Sequence, residues 1–468
     1  MDGGLIMPKK KPVDTTTKEN IPIVKTSGFV DFKTNKLYEQ TRNKQFVCLQ
    51  DDKKTALYVD EVTVTDKNNK PTFKFIPLSN KVTNIGVIPL PLMPVEYGST
   101  DSLVKEIEDH IYKYLDISER FRKLSAWYDV MSWVKDNLNT INYLRALGYL
   151  GWGKSRFFNV VGKLCYKPIP FAGAINPAPL YRLMDQWHGT LLLDECVIKG
   201  SDQSNDLIQV LNAGIERNRY VFRCDPDNKN EVEPFDPFGP KVIASRESFQ
   251  DNALESRCIT EHMRPTNRPD IPIELPPRFY LEQNDLRNKL LMFRLRNWKM
   301  VNAENIDKIV LPKTTNRLKQ MIMPFAITFY DHPIIIKDLN TFAEEYYKEQ
   351  LSDSSKSLEG GVVYTIYLLH EGLGEANISS TDILEKMKNI GYETGNYKDV
   401  SIGIIRSNLG IDAKQKGGKK CIVYDERLMQ QLIERFLTEE QVEYVKNLKK
   451  QIRSFEERNK VEPSRIFL

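Results

Sequence analysis

Three short stretches of this chain carry residue types at the spacing that phosphoryl transfer requires. Gly148-Tyr149-Leu150-Gly151-Trp152-Gly153-Lys154-Ser155 fits G-x-x-x-x-G-K-[S/T] without a mismatch. In that pattern the glycines let consecutive backbone N–H groups converge on phosphate oxygens, the lysine reaches the β- and γ-phosphates, and the hydroxyl holds Mg²⁺. Gly148, Gly151, Gly153, Lys154 and Ser155 are therefore the candidate nucleotide-binding residues, with ATP and Mg²⁺ as the expected cofactors. Hydrolysis needs more: an aspartate for the metal and a base for the attacking water. Gly189-Thr190-Leu191-Leu192-Leu193-Asp194-Glu195 supplies both, Asp194 sharing the metal with Ser155 and Glu195 activating the water. Ser245, at the end of the apolar run Lys241–Ser245, can probe the γ-phosphate.

The elements that must position these groups follow from periodicity. Asn142–Leu147 reads as a buried strand entering the glycine loop, and Arg156–Tyr166 continues from it with helical spacing at Phe157, Val160, Val161 and Leu164. Ile169–Ala174 reads as a further strand and Pro177–Trp187 as a helix. The run before Asp194 is a strand that delivers two carboxylates to its C-terminal end, where ligands of open α/β sheets bind. Asp206–Arg217 is helical. Tyr220–Cys224, the turn Asp225–Asn230 and Glu231–Glu233 then form a hairpin just ahead of the Ser245 strand.

A strand between the loop strand and an Asp-Glu strand resembles the AAA+ class of P-loop ATPases. The hairpin before Ser245, with Ser256-Arg257 twelve residues after it, resembles the hexameric helicases of the minichromosome-maintenance group and the superfamily-three viral helicases, above all the MCM-like ATPases of phages and mobile elements. The resemblance implies a hexameric ring on DNA, with single strand in the pore. It makes Lys229 the DNA contact at the hairpin tip, with Arg223 as a lesser candidate, and Arg257 an arginine finger entering the neighbouring subunit's site. Without it, Lys229 reads as a solvated turn lysine and Arg257 as a structural ion-pair partner. Arg317, in Thr315-Asn316-Arg317-Leu318, resembles a sensor 2 arginine, a role for which Arg294 and Arg296 compete. The chain departs from the pattern in its serine at 245, where asparagine is usual, and in lacking a zinc ribbon. The 40 residues from Lys154 to Asp194 match the compact viral spacing. Trp152 stands where small residues are usual, and the sequence offers no reason for it.

Around this core, residues 1–20 read as a disordered arm and residues 21–97 as a small β-rich domain, either an oligonucleotide-binding or ring-forming collar or a purely structural module. The ATPase domain with its preceding helices and lid is expected over 98–350. Residues 355–430 read as a winged helix: helices at Gly360–Leu373, Thr381–Ile390 and Lys398–Leu409, then a hairpin around Gly417-Gly418 whose Lys414, Lys416, Lys419 and Lys420 suit phosphate contacts. The alternative is a winged helix for protein contacts. A charged helical tail is expected over 431–468. The fold class is thus an α/β AAA+ P-loop ATPase core, a small N-terminal β-rich domain and a C-terminal winged helix.

A net charge of +4 is too slight to argue for nucleic acid by itself. Six scattered cysteines and five scattered histidines form no metal pattern. No apolar run approaches the ~18 residues of a membrane span, and a cytoplasmic, membrane-free location is expected. The favoured function is an ATP-dependent, ring-forming DNA helicase replicating a mobile element, phage or plasmid. The alternatives are a AAA+ loader or remodeller, and a nucleotide-switched DNA-binding regulator.

Overall fold

The computed structural model describes residues 21–172, 177–194, 202–224, 232–312, 314–395 and 397–461. Contacts divide them into two compact units: one comprises the residues up to Leu311 together with Lys319–Leu339, the other Pro312–Leu318 and the residues from Asn340 onward.

The first unit begins with seven strands: β1 (Ile23–Thr26), β2 (Gly28–Asp31), β3 (Lys36–Gln40), β4 (Phe46–Leu49), β5 (Ala56–Val59), β6 (Val62–Thr65) and β7 (Pro71–Pro77). Strands β2 to β5 form an antiparallel sheet in sequence order, while β7 lies between β1 and β6 in a second sheet. The Asp31 carboxylate accepts from the Lys33 N–H at 3.0 Å and the Thr34 hydroxyl at 2.6 Å, which fixes the β2–β3 turn. Phe29 stacks between Tyr38 and Phe75, at 4.9 and 4.1 Å between centroids, and joins the two sheets through one aromatic cluster.

A short helix α1 (Lys81–Asn84) precedes α2 (Thr100–Tyr114) and α3 (Glu119–Ser132), which are capped by the Ser99 and Ser118 hydroxyls. The chain breaks between these two helices because Leu115 is extended and Ser118 restarts the chain as an N-cap. The central sheet follows: β8 (Tyr143–Leu147), α4 (Lys154–Val160), β9 (Pro168–Ala172), α5 (Pro177–Trp187), β10 (Thr190–Asp194), α6 (Asp202–Ala213), the hairpin β11 (Val221–Cys224) and β12 (Val232–Phe235), β13 (Lys241–Ser245), α7 (Asn252–Glu255) and β14 (Cys258–His262). Its five parallel strands run in the order β14-β8-β13-β10-β9. Leu191, Leu193 and Ile243 pack under Leu180 and Trp187 of α5 and Val210 and Leu211 of α6. Phe157, Val160 and Trp127 are also buried, and β8 and β13 are covered along their whole length, the burial that parallel sheets require. The helix after the glycine loop is shorter than its spacing suggested, giving way at Val161 to a 3₁₀ turn over Gly162–Leu164.

Helix α8 (Pro277–Asn297) carries Arg294 into a buried charge cluster. Arg294 Nε donates to Glu39 of β3 at 2.6 Å and its other nitrogens to Asp136 and the Trp133 carbonyl. Glu39 also receives Lys167 Nζ at 2.8 Å and the Tyr166 hydroxyl at 2.8 Å. Arg294, Glu39 and Lys167 are at most 5% exposed. Arg296 pairs with Glu96 at 2.7 Å. Both arginines that competed for a nucleotide-sensing role are thus held by acids of the chain itself. Helices α9 (Asn316–Thr328) and α10 (Pro333–Lys356) follow. No helix among the described residues is long and apolar enough to cross a membrane.

In the second unit, α11 (Leu358–Tyr367) runs into a π-helical turn over Leu368–Gly372 and is followed by α12 (Ser380–Asn389), α13 (Asp399–Asn408) and the hairpin β15 (Ala413–Lys416) and β16 (Lys419–Ile422). Gly417 and Gly418 both have positive φ, 59° and 80°, as a two-residue hairpin turn demands. Beyond the hairpin, α14 (Glu426–Phe436) sends Met429, Leu432 and Ile433 into the core formed by Val362, Ile366, Ile383 and Ile402, and α15 (Glu439–Val461) adds Val445. The stretch after Asp425, which includes the charged helical tail expected over 431–468, forms two helices that complete this core, because its apolar residues recur at helical spacing among the charges.

Burial pushes the Asp136 carboxyl up, but the Arg294 guanidinium, helped by Lys135 and Arg217, overcomes it and holds the group at about 2. The Glu39 carboxyl is likewise lowered by Arg294 and Lys167 against its burial. Both depressed carboxylates stabilise the fold fully above their unfolded values and lose that contribution as pH falls through their folded values. Thermal melting at pH 7, 5, 4 and 3 is expected to fall steeply only below pH ~4.5. Glu39→Gln, which leaves two buried cations short of a partner, is expected to cost about 3–5 kcal/mol in urea unfolding at pH 7.

Candidate functional site

Strand register assembles the site. Leu147, the last residue of β8, pairs with Ser245, the last of β13, and Asp194, the last of β10, pairs with Ala244. The Gly148 N–H donates to the Ser245 carbonyl at 3.1 Å. The glycine loop, Ser245 and Asp194 therefore stand side by side at the C-terminal edge of three adjacent strands, each about 4.8 Å from the next.

The loop's conformation depends on its glycines. Gly151 and Gly153 have φ of 80° and 85°, a region that only glycine enters readily. At Gly148 a Cβ would lie 2.9 Å from the Cβ of Met263, so the position is closed to any side chain. Met263, 3% exposed, follows β14; its N–H donates to the Leu147 carbonyl at 2.7 Å, and its side chain lies beneath Gly148 and Gly153. Sequence reasoning missed Met263, since nothing but the pairing of β14 with β8 brings it under the loop. Lys154, 5% exposed, folds its ammonium back onto the Gly148 and Tyr149 carbonyls, 2.8 Å each. Trp152 packs its indole against Gly148 and sets it edge-on to Tyr149, with ring centroids 4.8 Å apart at 80°. Ser155 is exposed at the start of α4.

A phosphate group fits these residues. The Ser245 hydroxyl is buried and has no hydrogen-bond partner among the described residues, at the end of the strand that abuts the loop. The Gly148 cradle is closed to a Cβ, so its backbone is left bare. Ser155 and Asp194 are the oxygen donors that a hard cation such as Mg²⁺ accepts.

The other sequence candidates lie elsewhere. Glu195 and Lys229 fall outside the described residues. Arg223, on β11, is turned onto the core: it pairs with Asp206 at 3.0 Å, donates to the Tyr181 hydroxyl and lies over that ring at 4.9 Å. Arg257 immediately precedes β14, and its carbonyl accepts from the Tyr143 N–H at the N-terminal end of β8. It is thus at the opposite end of the sheet from its own loop, about 16 Å of strand away, with its guanidinium donating to Asn212 of α6. Arg317 lies in the first turn of α9, half-buried, in the stretch that belongs to the second unit. Lys414, Lys416, Lys419 and Lys420 are all exposed on the β15–β16 hairpin. In the helix before it, Arg406 is buried and donates to the Ile411 carbonyl.

No family model matches the chain. No curated protein matches it either. Among solved structures it is similar to an active helicase, Cch of SCCmec type IV, with a TM-score of 0.42, 11% identity, and coverage of 88% of this chain and 80% of that one. It is also similar to the apo C-terminal region of NrS-1 (TM-score 0.36, 11% identity, 84% and 94% covered) and to JCV helicase (TM-score 0.25, 12% identity, 53% and 61% covered). At these TM-scores the likeness carries no functional argument, which rests on the site itself.

Gly148→Ala drives a methyl into Met263, and overpacking of this kind costs about 1–3 kcal/mol. If the loop is the nucleotide site, the substitution is expected to weaken ATP binding about tenfold or more, read from quenching of tryptophan fluorescence, which Trp152 is placed to report. Unchanged affinity would remove the loop from nucleotide binding.

Proposed function

We propose that this chain is an ATP-dependent, ring-forming DNA helicase of a mobile element, phage or plasmid. The observation that carries the reading is the register that sets the glycine loop, Ser245 and Asp194 side by side at one edge of a parallel sheet. Lys154 leaves the loop carbonyls to hold the β- and γ-phosphates, the loop N–H groups receive their oxygens, and Ser245 hydrogen-bonds the γ-phosphate. Ser155 and Asp194 hold Mg²⁺, which when bound neutralises charge on the two phosphates. Glu195 orients and deprotonates the attacking water.

Arg257 acts in trans. Its distance from its own loop bars it from its own nucleotide, so a finger role requires the loop of a neighbouring subunit, and a closed ring of six supplies one to every site. Arg317 reads the bound nucleotide from the lid. The β11–β12 hairpin carries Lys229 to the DNA strand in the pore; Arg223 braces the hairpin's base. Within the second unit, α11, α12 and α13 with the glycine-turned hairpin serve as a winged helix whose lysines hold duplex phosphates. The site of action is the cytoplasm.

Wild-type protein is expected to unwind a forked duplex with ATP, and Lys154→Ala to abolish both hydrolysis and unwinding. ATP hydrolysis without strand displacement on any fork or bubble would leave an ATPase but no motor, and would favour a loader or a nucleotide-switched regulator. Subunits carrying Arg257→Ala, mixed with subunits carrying Glu195→Gln, are expected to recover part of the hydrolysis that each lacks alone. Absence of recovery in mixed rings would sink the trans finger.

A further inference from the structure

The exposed residues of α13 are Asp399 at its first position and then Val400, Ile404, Ser407 and Asn408, so beyond that first carboxylate its solvent face carries no charge. At 100° per residue, Val400, Ile404, Ser407 and Asn408 fall on one side of the helix, and Val400 and Ile404 are 68% and 58% exposed. Its one arginine, Arg406, is on the buried side. Two β-branched aliphatics open to water at the N-terminal half of a helix have no packing reason to be there, since Ile402 and Ile405 already supply the core side.

The hairpin beside it is charged in the opposite sense of economy. Lys416 and Lys419 stand directly across from each other on β15 and β16, and Lys414 shares their face by the two-residue alternation. Like charges in directly opposed cross-strand positions repel, and an anion between them relieves the repulsion. The hairpin therefore suits a polyanion's backbone, while the helix suits something apolar presented next to that backbone.

We infer that α13 reads A·T-rich duplex DNA by its thymine methyl groups, an inference that rests on the proposed binding of duplex by the hairpin lysines. In the major groove the thymine C5-methyl is the one apolar group on a base edge, and aliphatic side chains contact it. Asparagine pairs with the adenine N6/N7 edge, whereas guanine is read by arginine or lysine. Val400 and Ile404 supply the first contact and Asn408 the second. No exposed arginine or lysine lies within the α13 face to supply the third. The N-terminal residues of such a helix are the ones that reach base edges when it enters the groove, and Val400 is the second residue of α13. The lysines position the helix and the aliphatics choose the sequence.

The test uses the full chain without nucleotide and three labelled duplexes of equal length: A·T-rich, G·C-rich, and A·T-rich with deoxyuridine replacing thymidine, which deletes the methyl and nothing else. The A·T-rich duplex is expected to bind about tenfold or more tightly than the G·C-rich one. Deoxyuridine is expected to weaken it by up to about fourfold for each contacted methyl. Val400→Ala with Ile404→Ala, both on the surface and outside the core, is expected to erase the deoxyuridine difference and to shrink the A·T preference to what Asn408 supplies, without changing the salt dependence. Lys416→Gln with Lys419→Gln is expected to weaken all three duplexes alike and lower the salt slope by about one to two. Binding that depends on these lysines but is indifferent to the methyl would overturn the A·T inference and leave the DNA reading standing. Binding that does not respond to the lysine changes would overturn the DNA reading, and the inference with it.

Discussion

The arrangement of the first unit depends on one buried ion network. Glu39 comes from the N-terminal strands, Lys167 and Tyr166 from the lead-in to β9, Asp136 from the turn before β8, and Arg294 from the long helix α8. Separately, none of these charges tolerates the interior; together, bidentate and charge-assisted bonds offset their desolvation. The network has no redundancy in its acids, since Glu39 takes two cations and Asp136 anchors the guanidinium from its far side. Its geometric effect is to fix the β-rich N-terminal strands, the start of the central sheet and α8 relative to one another, so that the sheet's C-terminal edge is free to hold the glycine loop.

Much of the site was legible because its constraints are local. A loop that must curl backbone N–H groups around an anion needs glycines at set spacings, and a strand that must end in a carboxylate shows as an apolar run ending in Asp194. Both signals survive without any partner. Strand order was less legible: that β13 separates β8 from β10, putting Ser245 beside the loop, follows from long-range pairing that no window of sequence contains. Met263 was illegible for the same reason, being a plain apolar residue whose importance lies in which strand β14 joins.

Charged residues misled in a consistent way. Arg294, Arg296 and Arg223 all read as functional cations, because arginine is rare enough to attract notice, yet each is engaged by an acid, a hydroxyl or a carbonyl of its own unit. Sequence gives a residue's charge but not whether the fold has already satisfied it. The reverse error occurred beyond Asp425, where many charges hid a periodic apolar stripe that completes a core.

Trp152 gains a physical account from its neighbours. Three glycines in eight residues give a free loop more conformational freedom than one without glycine would have, and a ligand that had to order it would lose affinity to that entropy. The indole wedged against Gly148 and edge-on to Tyr149, with Met263 beneath, removes this freedom during folding. In the proposed nucleotide role, phosphates would meet a loop already in shape and need only take the place of the carbonyls that Lys154 now contacts. Rigidity here comes from an aromatic side chain standing where backbone flexibility was greatest, so the loop behaves as a mould cast before its contents arrive.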